Sequence, residues 1–113
     1  MKSAVYKYLI PFQEDFDLKL PKGSKVVRID TDNGNPYLWA LVPLDETEIY
    51  TYKFKSSKTG GIIDHTDDLI FIDTYSIYIQ MELMLYVFLE AVIHSNGLEQ
   101  SAYDLIINNC WRC

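Results

Sequence analysis

The sequence predicts a mainly β domain, either all β or α+β, folded as a single antiparallel sheet, a small sandwich or a half-barrel with a C-terminal helix. Short runs of β-branched and aromatic residues recur along the chain, several of them alternate apolar and polar residues, and clusters of Gly, Pro and Asn separate them. At 113 residues, 49% of them hydrophobic, the chain is long enough for one core and too short for two.

Five strands are predicted in the first half of the chain, over residues 4–10, 16–20, 25–32, 37–42 and 49–55. The Asn33-Gly34 pair tolerates the positive φ angles of a tight turn, so the third and fourth strands should form a hairpin. Residues 37–42 are apolar at every position, which is typical of a central strand. We therefore expect Trp39 to lie in the core.

The second half is less regular. Residues 56–68 are rich in Ser, Thr, Gly and Asp and predict a loop, whereas 69–79 predict a sixth strand. Residues 81–91 mix helix-favouring Met, Leu and Glu with strand-favouring Tyr86-Val87-Phe88, and pattern alone leaves both structures open.

A helix is expected over Leu98–Asn108, capped by Asn96, because four apolar residues recur there at helical spacing: Leu98, Ala102, Leu105 and Ile106. The predicted organisation is an antiparallel β domain over 1–94 and a helical extension over 95–113 that packs on the same domain.

Charge and hydropathy narrow the classes of function. With 16 acidic and 10 basic residues the net charge is −6, and the basic residues are scattered, which argues against direct binding of nucleic acid or of an anionic membrane. No apolar run reaches the roughly 18 residues of a membrane span, and the N-terminus lacks the apolar core of a secretory signal. We expect a cytoplasmic protein.

The order of several segments resembles an uncharacterised family of small bacteriophage and prophage proteins. These segments are YKYLI (6–10), LPKGSKVV (20–27), NGNPYLWALV (33–42), IFIDTY (70–75) and MLYVFLE (84–90). The NG-x-P-x-LWALV motif is the most specific, and the resemblance covers about residues 5–91. It implies a compact β domain, a strand at 84–90 and a phage origin, with the cytoplasm of the bacterial host as its location. The resemblance assigns no catalytic residues to this sequence.

Two clusters could in principle bind a metal. Cys110 and Cys113 have C-x-x-C spacing, but they lie at the end of a predicted helix and only His65 and His94 could complete a zinc site. The acidic loop 64–68 lacks the ligand spacing of a calcium loop. We predict no metal, no cofactor and no enzymatic activity, since none of the common nucleophile or phosphate-loop motifs is present either.

Nine tyrosines suggest a binding surface, because tyrosine gives a large contact area at low entropic cost. The predicted partner-binding residues are Tyr50, Tyr52, Asp64, Asp67, Asp68 and Trp111. The leading hypothesis is a phage-encoded module that binds a host protein, such as a nucleic-acid-binding defence complex of the CRISPR or restriction type, and inhibits it. The alternatives are an acidic mimic of nucleic acid and a phage structural or assembly protein, and the sequence leaves a homodimer open.

Overall fold

The computed structural model describes residues 2–65, 68–102, 104 and 105, and within them the chain forms eight β-strands. The strands are β1 (Ser3–Leu9), β2 (Asp15–Pro21), β3 (Lys25–Asp32), β4 (Asn35–Pro43), β5 (Ile49–Lys58), β6 (Ile70–Ile79), β7 (Met81–Ile93) and β8 (Glu99–Ser101). The prediction of a mainly β domain is confirmed.

The strands form two antiparallel sheets. One has the order β1-β4-β3, and the other has the order β2-β5-β7-β6 with β8 also paired to β7. β6 pairs with β7 as far as Leu89, and β8 pairs with Ala91–Ile93 further along the same strand. Of the predicted arrangements, the structure has the two-sheet one.

The hairpin between β3 and β4 forms at the predicted turn. Asp32 pairs with Asn35, and the two residues between them, Asn33 and Gly34, have φ angles of 53° and 82°. These are the angles of a type I′ turn, whose twist matches that of the flanking strands. Local turn chemistry therefore sets the register that brings β4 against β3.

The core lies between the two sheets. Its fully buried large side chains include Leu38 and Val42 of β4, Phe54 of β5 and Leu89 of β7. Phe16 of β2 stacks on Phe54 with ring centroids 5.1 Å apart. Because both sheets turn one face inwards, alternate residues of most strands are buried, as in a sandwich.

The two sheets meet where β3 lies beside β6. β3 has an irregularity at Val27 and β6 has one at Ile72, so each strand carries an extra residue at this junction. The Ile29 N–H donates a hydrogen bond of 2.9 Å to Oδ2 of Asp73, whose Oδ1 accepts one of 2.8 Å from the Thr74 N–H. One carboxylate thus joins the two sheets.

The ambiguous segment is a strand. β7 is the longest strand described, and it pairs with β5 on one side and with β6 on the other. Its helix-favouring residues adopt the extended conformation because a strand between two others satisfies its backbone on both sides, which outweighs a propensity of a few tenths of a kcal/mol per residue.

The predicted loop over 56–68 begins later than expected. Ser56, Ser57 and Lys58 extend β5 and pair with residues 85–87 of β7. Ser56 also donates two hydrogen bonds of 2.8 Å to the Glu14 carbonyl, one from its N–H and one from its hydroxyl. Pairing on the long β7 strand therefore overrides the loop composition of these residues.

The predicted C-terminal helix is not confirmed. Within Leu98–Asn108, residues Glu99–Ser101 form β8 instead, and Ile106–Asn108 lie outside the described residues. Asn96 does not cap a helix: its Oδ1 accepts a hydrogen bond of 3.0 Å from the Leu98 N–H, and the His94 N–H donates one of 2.8 Å to the Leu98 carbonyl. With Gly97 at a φ of 90°, these bonds turn the chain back along β7.

Within the described part of the chain, no helix has the length and apolar character needed to cross a membrane.

Candidate interaction surface

Residues of β4 alternate between the core and the outer face of the three-stranded sheet. Leu38, Ala40 and Val42 are buried, whereas Trp39 is only half-buried. The prediction that Trp39 lies in the core is wrong, although its place on a central strand is confirmed. Only one face of this sheet is covered by the other sheet, so an apolar run on β4 leaves half of its side chains outside.

Trp39 lies between two cationic side chains on the neighbouring strands. Lys7 of β1 and Arg28 of β3 both pair with Trp39 in the sheet register. The Arg28 guanidinium lies 4.7 Å from the centroid of the Trp39 ring, and Lys7 Nζ lies 4.3 Å from that of Tyr37. Both distances are within the range of a cation–π interaction.

Two aspartates hold these cations in place. Lys7 Nζ lies 3.0 Å from Oδ2 of Asp32, and Nη2 of Arg28 lies 2.5 Å from Oδ2 of Asp30. Since both pairs are exposed, they add little to stability, but they fix the orientation of the cations beside the aromatic rings. We call Lys7, Arg28, Tyr37 and Trp39 the aromatic–cation cluster.

Apolar side chains extend the cluster across the same face. Val5 and Leu9 of β1 are 51% and 58% exposed, and Leu41 of β4 is 39% exposed. Leu9 pairs with Tyr37 and Val5 pairs with Leu41, so these side chains are neighbours across the two strands. The outer face therefore combines aromatic, cationic and aliphatic groups, a composition that marks interaction sites.

The predicted partner-binding residues lie elsewhere. Tyr50 is half-buried at the start of β5, and Tyr52 is a core residue with 3% of its surface exposed. Asp64 and Asp68 are exposed in the connection between β5 and β6, whereas Asp67 and Trp111 lie outside the described residues.

Both β5 tyrosines make specific internal contacts. The Tyr52 hydroxyl donates a hydrogen bond of 3.2 Å to the Ser24 carbonyl, and burial raises its pKa well above the usual value. Tyr50 stacks on His94 with ring centroids 4.3 Å apart, and Nε2 of His94 lies 3.2 Å from Oε1 of Gln100. These contacts place Tyr52 against Ser24 and Tyr50 against His94, and the role of the two tyrosines in partner binding stays a prediction.

The described residues include no group of three or more His, Cys, Asp or Glu side chains that could hold a metal ion. Cys110 and Cys113, like Asp67, lie outside that part of the chain.

An apolar groove at one end of the sandwich, lined by Phe12, Tyr75, Ile77, Ile79 and Leu83, encloses about 200 Å³. That volume is below the roughly 300 Å³ at which small-molecule sites begin, whereas a second groove, which Tyr50, Tyr52 and His94 help to line, has a volume of about 440 Å³ and lies within that range.

Together the fold and the cluster define a small two-sheet antiparallel β domain with a mixed aromatic, cationic and aliphatic face. A family model described as a domain of unknown function, DUF7352, matches residues 1–96, and the chain belongs to this family. The match spans β1 to β7 and ends before β8. No curated protein and no solved structure matched the chain.

The aromatic–cation cluster is a candidate site that the sequence-based predictions did not include. Its signal is present in residues 37–42, where large aromatic side chains alternate with smaller aliphatic ones. A strand that is apolar on both faces either lies between two layers or exposes one face to a partner. Pattern alone does not distinguish these cases, because the number of layers is a property of the tertiary fold.

Proposed function

We propose that this chain is a non-enzymatic protein-binding module whose binding site is the outer face of β1, β4 and β3. The observation that carries the proposal is the half-exposed Trp39 ring with the Arg28 guanidinium 4.7 Å from its centroid. Trp, Tyr and Arg are the residues most enriched where alanine substitution costs most binding energy. Here Trp39, Tyr37 and Arg28 share one face and contact one another.

For the partner, we propose a host protein, with inhibition of a bacterial defence complex of the CRISPR or restriction type as the role. The resemblance to phage proteins supports this setting. The net charge of −6 supports a partner with a basic surface, since defence complexes that bind nucleic acid have basic grooves.

The alternative of a nucleic-acid mimic has less support. A phosphate mimic needs unpaired carboxylates on one face, yet five carboxylates among the described residues lie within ion-pair distance of a Lys or Arg: Asp15, Asp30, Asp32, Glu48 and Glu90. They are also divided between the two sheets.

The alternative of a phage structural or assembly protein requires that the chain associate with itself or with other particle proteins. The feature that bears on this alternative is the outer edge of β1, with which no other described strand pairs.

The test is capture of partners from lysate of the host by the immobilised protein, compared with the variants Trp39→Ala and Arg28→Ala. Tyr78→Ala is the matched control, because Tyr78 is 78% exposed and lies on the outer face of the other sheet. The proposal predicts one bound protein that is lost with both cluster variants and kept with the control. Circular dichroism of each variant provides the check that it is folded.

A partner that survives Trp39→Ala and Arg28→Ala would place the binding site elsewhere. Repeating the capture at rising ionic strength separates the hypotheses, because a phosphate mimic loses its partner steeply with salt and an aromatic-centred interface does not.

A further inference from the structure

The edge of β1 differs from the other edges of the two sheets. β3 and β6 lie beside one another and are linked through Asp73. β2 carries a charge at Asp15, Asp17 and Lys19 and ends at Pro21, which has no N–H. Charges and proline are the devices that block strand edges. Among the described strands, β1 has no such protection apart from Lys7.

The hydrogen bonds of β1 show which residues face that edge. The Lys2 carbonyl accepts a bond of 2.9 Å from the Leu44 N–H, and the Ile10 N–H donates one of 3.0 Å to the Pro36 carbonyl. In an antiparallel pair, alternate residues direct both backbone groups to the same neighbour. The even-numbered residues of β1 therefore bind β4, and Ser3, Val5, Lys7 and Leu9 direct their N–H and C=O groups away from it.

These groups are arranged for pairing with an extended strand. The β1–β4 register runs from Ser3 to Leu9 without a bulge, so the free donors and acceptors form a regular row along seven residues. No described strand lies on that side of β1, which ends its sheet. The side chains beside the row, Val5, Tyr6 and Leu9, are each about half exposed or more.

We propose that β1 pairs antiparallel with β1 of a second copy of this chain, which joins the two three-stranded sheets into one six-stranded sheet across a two-fold axis at Tyr6. In this register Ser3 lies opposite Leu9 and Val5 opposite Lys7, so all the residues that face the edge form hydrogen-bonded pairs. Tyr6 then lies opposite its own copy in a closely spaced, non-hydrogen-bonded pair.

Charge and size both select this register. A two-fold axis at Lys7 would place the two lysines opposite each other, which is unfavourable. An axis at Val5 would leave Leu9 beyond the end of the partner strand. With the axis at Tyr6, the large Tyr8 lies opposite the small Ala4, and the two Tyr6 rings can pack together as an aromatic pair. The edge is thus complementary to itself in hydrogen bonding and in side-chain size, and this register keeps the two lysines from lying directly opposite each other.

The pairing also extends the aromatic–cation cluster. The outer faces of the two three-stranded sheets, one from each copy, become continuous. Val5, Leu9 and the aromatic–cation cluster of both copies then lie on one surface. The inference does not depend on the proposed binding role, because self-association is measured on the purified protein alone.

The first test is sedimentation equilibrium of the full chain over a range of concentrations, with Val5→Pro and Lys19→Pro as matched variants. Val5→Pro removes one N–H that faces the outer edge of β1, and Lys19→Pro removes one that faces the outer edge of β2. Glu14 and Lys22 form backbone hydrogen bonds with the β5 side, so the even-numbered residues of β2 bond to β5 and the N–H of Lys19 faces away from it. We expect a dimer in the parent and in Lys19→Pro. Val5→Pro removes two hydrogen bonds from the symmetric interface and should weaken the dimer about tenfold or more.

The second test fixes the register. In a background with Cys110→Ser and Cys113→Ser, Tyr6→Cys should form an intermolecular disulfide under mild oxidation, since non-hydrogen-bonded pairs have the Cα spacing that a disulfide needs. Lys7→Cys should not, because Lys7 lies opposite Val5. A parent that stays monomeric at every concentration, a dimer unaffected by Val5→Pro, or cross-linking through Lys7→Cys rather than Tyr6→Cys would each overturn the proposal.

Discussion

Leu38 and Trp39 are neighbours in sequence that point to opposite faces of β4. Leu38 has no exposed surface, whereas Trp39 is half-buried against Arg28 and Tyr37. The larger side chain therefore contributes less to the core. Its contacts on the outer face are cation–π and aromatic contacts, each worth about 1 kcal/mol at an exposed site.

We expect Leu38→Ala to lower the free energy of unfolding by about 2 to 5 kcal/mol, the cost of deleting a fully buried leucine. Trp39→Ala should cost about 1 to 2 kcal/mol, because only part of its surface is buried. Urea denaturation of both variants measures the two values. A loss for Trp39→Ala equal to that of Leu38→Ala would mean that the outer face of the sheet is covered.

Among the secondary-structure elements, β3 and β6 are joined by the side-chain carboxylate of Asp73. The two strands carry bulges at Val27 and Ile72 where they meet, and Asp73 accepts hydrogen bonds from the backbone of both strands. A bulge interrupts the regular ladder, and a side-chain carboxylate can then satisfy a backbone N–H in place of a carbonyl.

Asp73→Ala removes the acceptor of the half-buried Ile29 N–H and should lower the free energy of unfolding by about 1 to 3 kcal/mol. Asp73→Asn keeps one acceptor oxygen and should cost less. Asp45→Ala, an exposed position, is the control and should change stability by less than about 0.5 kcal/mol. Equal stability of Asp73→Ala and the control would show that the carboxylate does not hold the sheets together.

At the scale of the whole molecule, the segment after β7 completes the fold. β8 pairs with Ala91–Ile93, and both Ala102 and Leu105 are buried, with Leu105 part of the main core. Leu98, expected to share an apolar stripe with them, is 60% exposed in the turn before β8. The described residues beyond the DUF7352 match, which ends at residue 96, therefore include a strand and two buried side chains that pack on the domain that the match covers.

Leu105→Ala should lower the free energy of unfolding by about 2 to 5 kcal/mol, as for other buried leucines, and Leu98→Ala should change it by less than about 0.5 kcal/mol. Truncation after His94 removes β8 and Leu105 together, and should destabilise the monomer more than Leu105→Ala does. Thermal unfolding of the three variants provides the comparison. A truncated chain as stable as the parent would show that the segment has no structural role.

The predictions that held depend on local chemistry. The Asn33-Gly34 turn and the strand predicted over residues 16–20 each depend on a few adjacent residues, whose preferences hold wherever the chain lies. The predictions that failed depend on what surrounds a segment. Trp39 was expected in the core, but it lies on the uncovered face of its sheet. Ser56–Lys58 were expected in a loop and Leu98–Ser101 in a helix, but Ser56–Lys58 and Glu99–Ser101 pair with β7 as strands.

The candidate site shows the same division. The sequence indicated that tyrosines could form a binding surface, and the two it selected on β5, Tyr50 and Tyr52, contact His94 and Ser24, so that their role in binding stays a prediction. The cluster that faces outwards draws Lys7, Arg28 and Trp39 from three strands, up to 32 positions apart in the chain. Only the sheet order brings them together.

By itself the sequence determined the β class, most strand positions and the β3–β4 hairpin, because these follow from side-chain alternation and from the φ angles that a few turn residues accept. The tertiary structure decided that β7, which residue pattern left open, is a strand, that the strands divide into two sheets, and that one face of β4 is exposed. It also decided that no other described strand pairs with the outer edge of β1. Those outcomes depend on backbone pairing and burial between residues distant in sequence, and the free energy of such contacts exceeds the local preferences of the segments that make them.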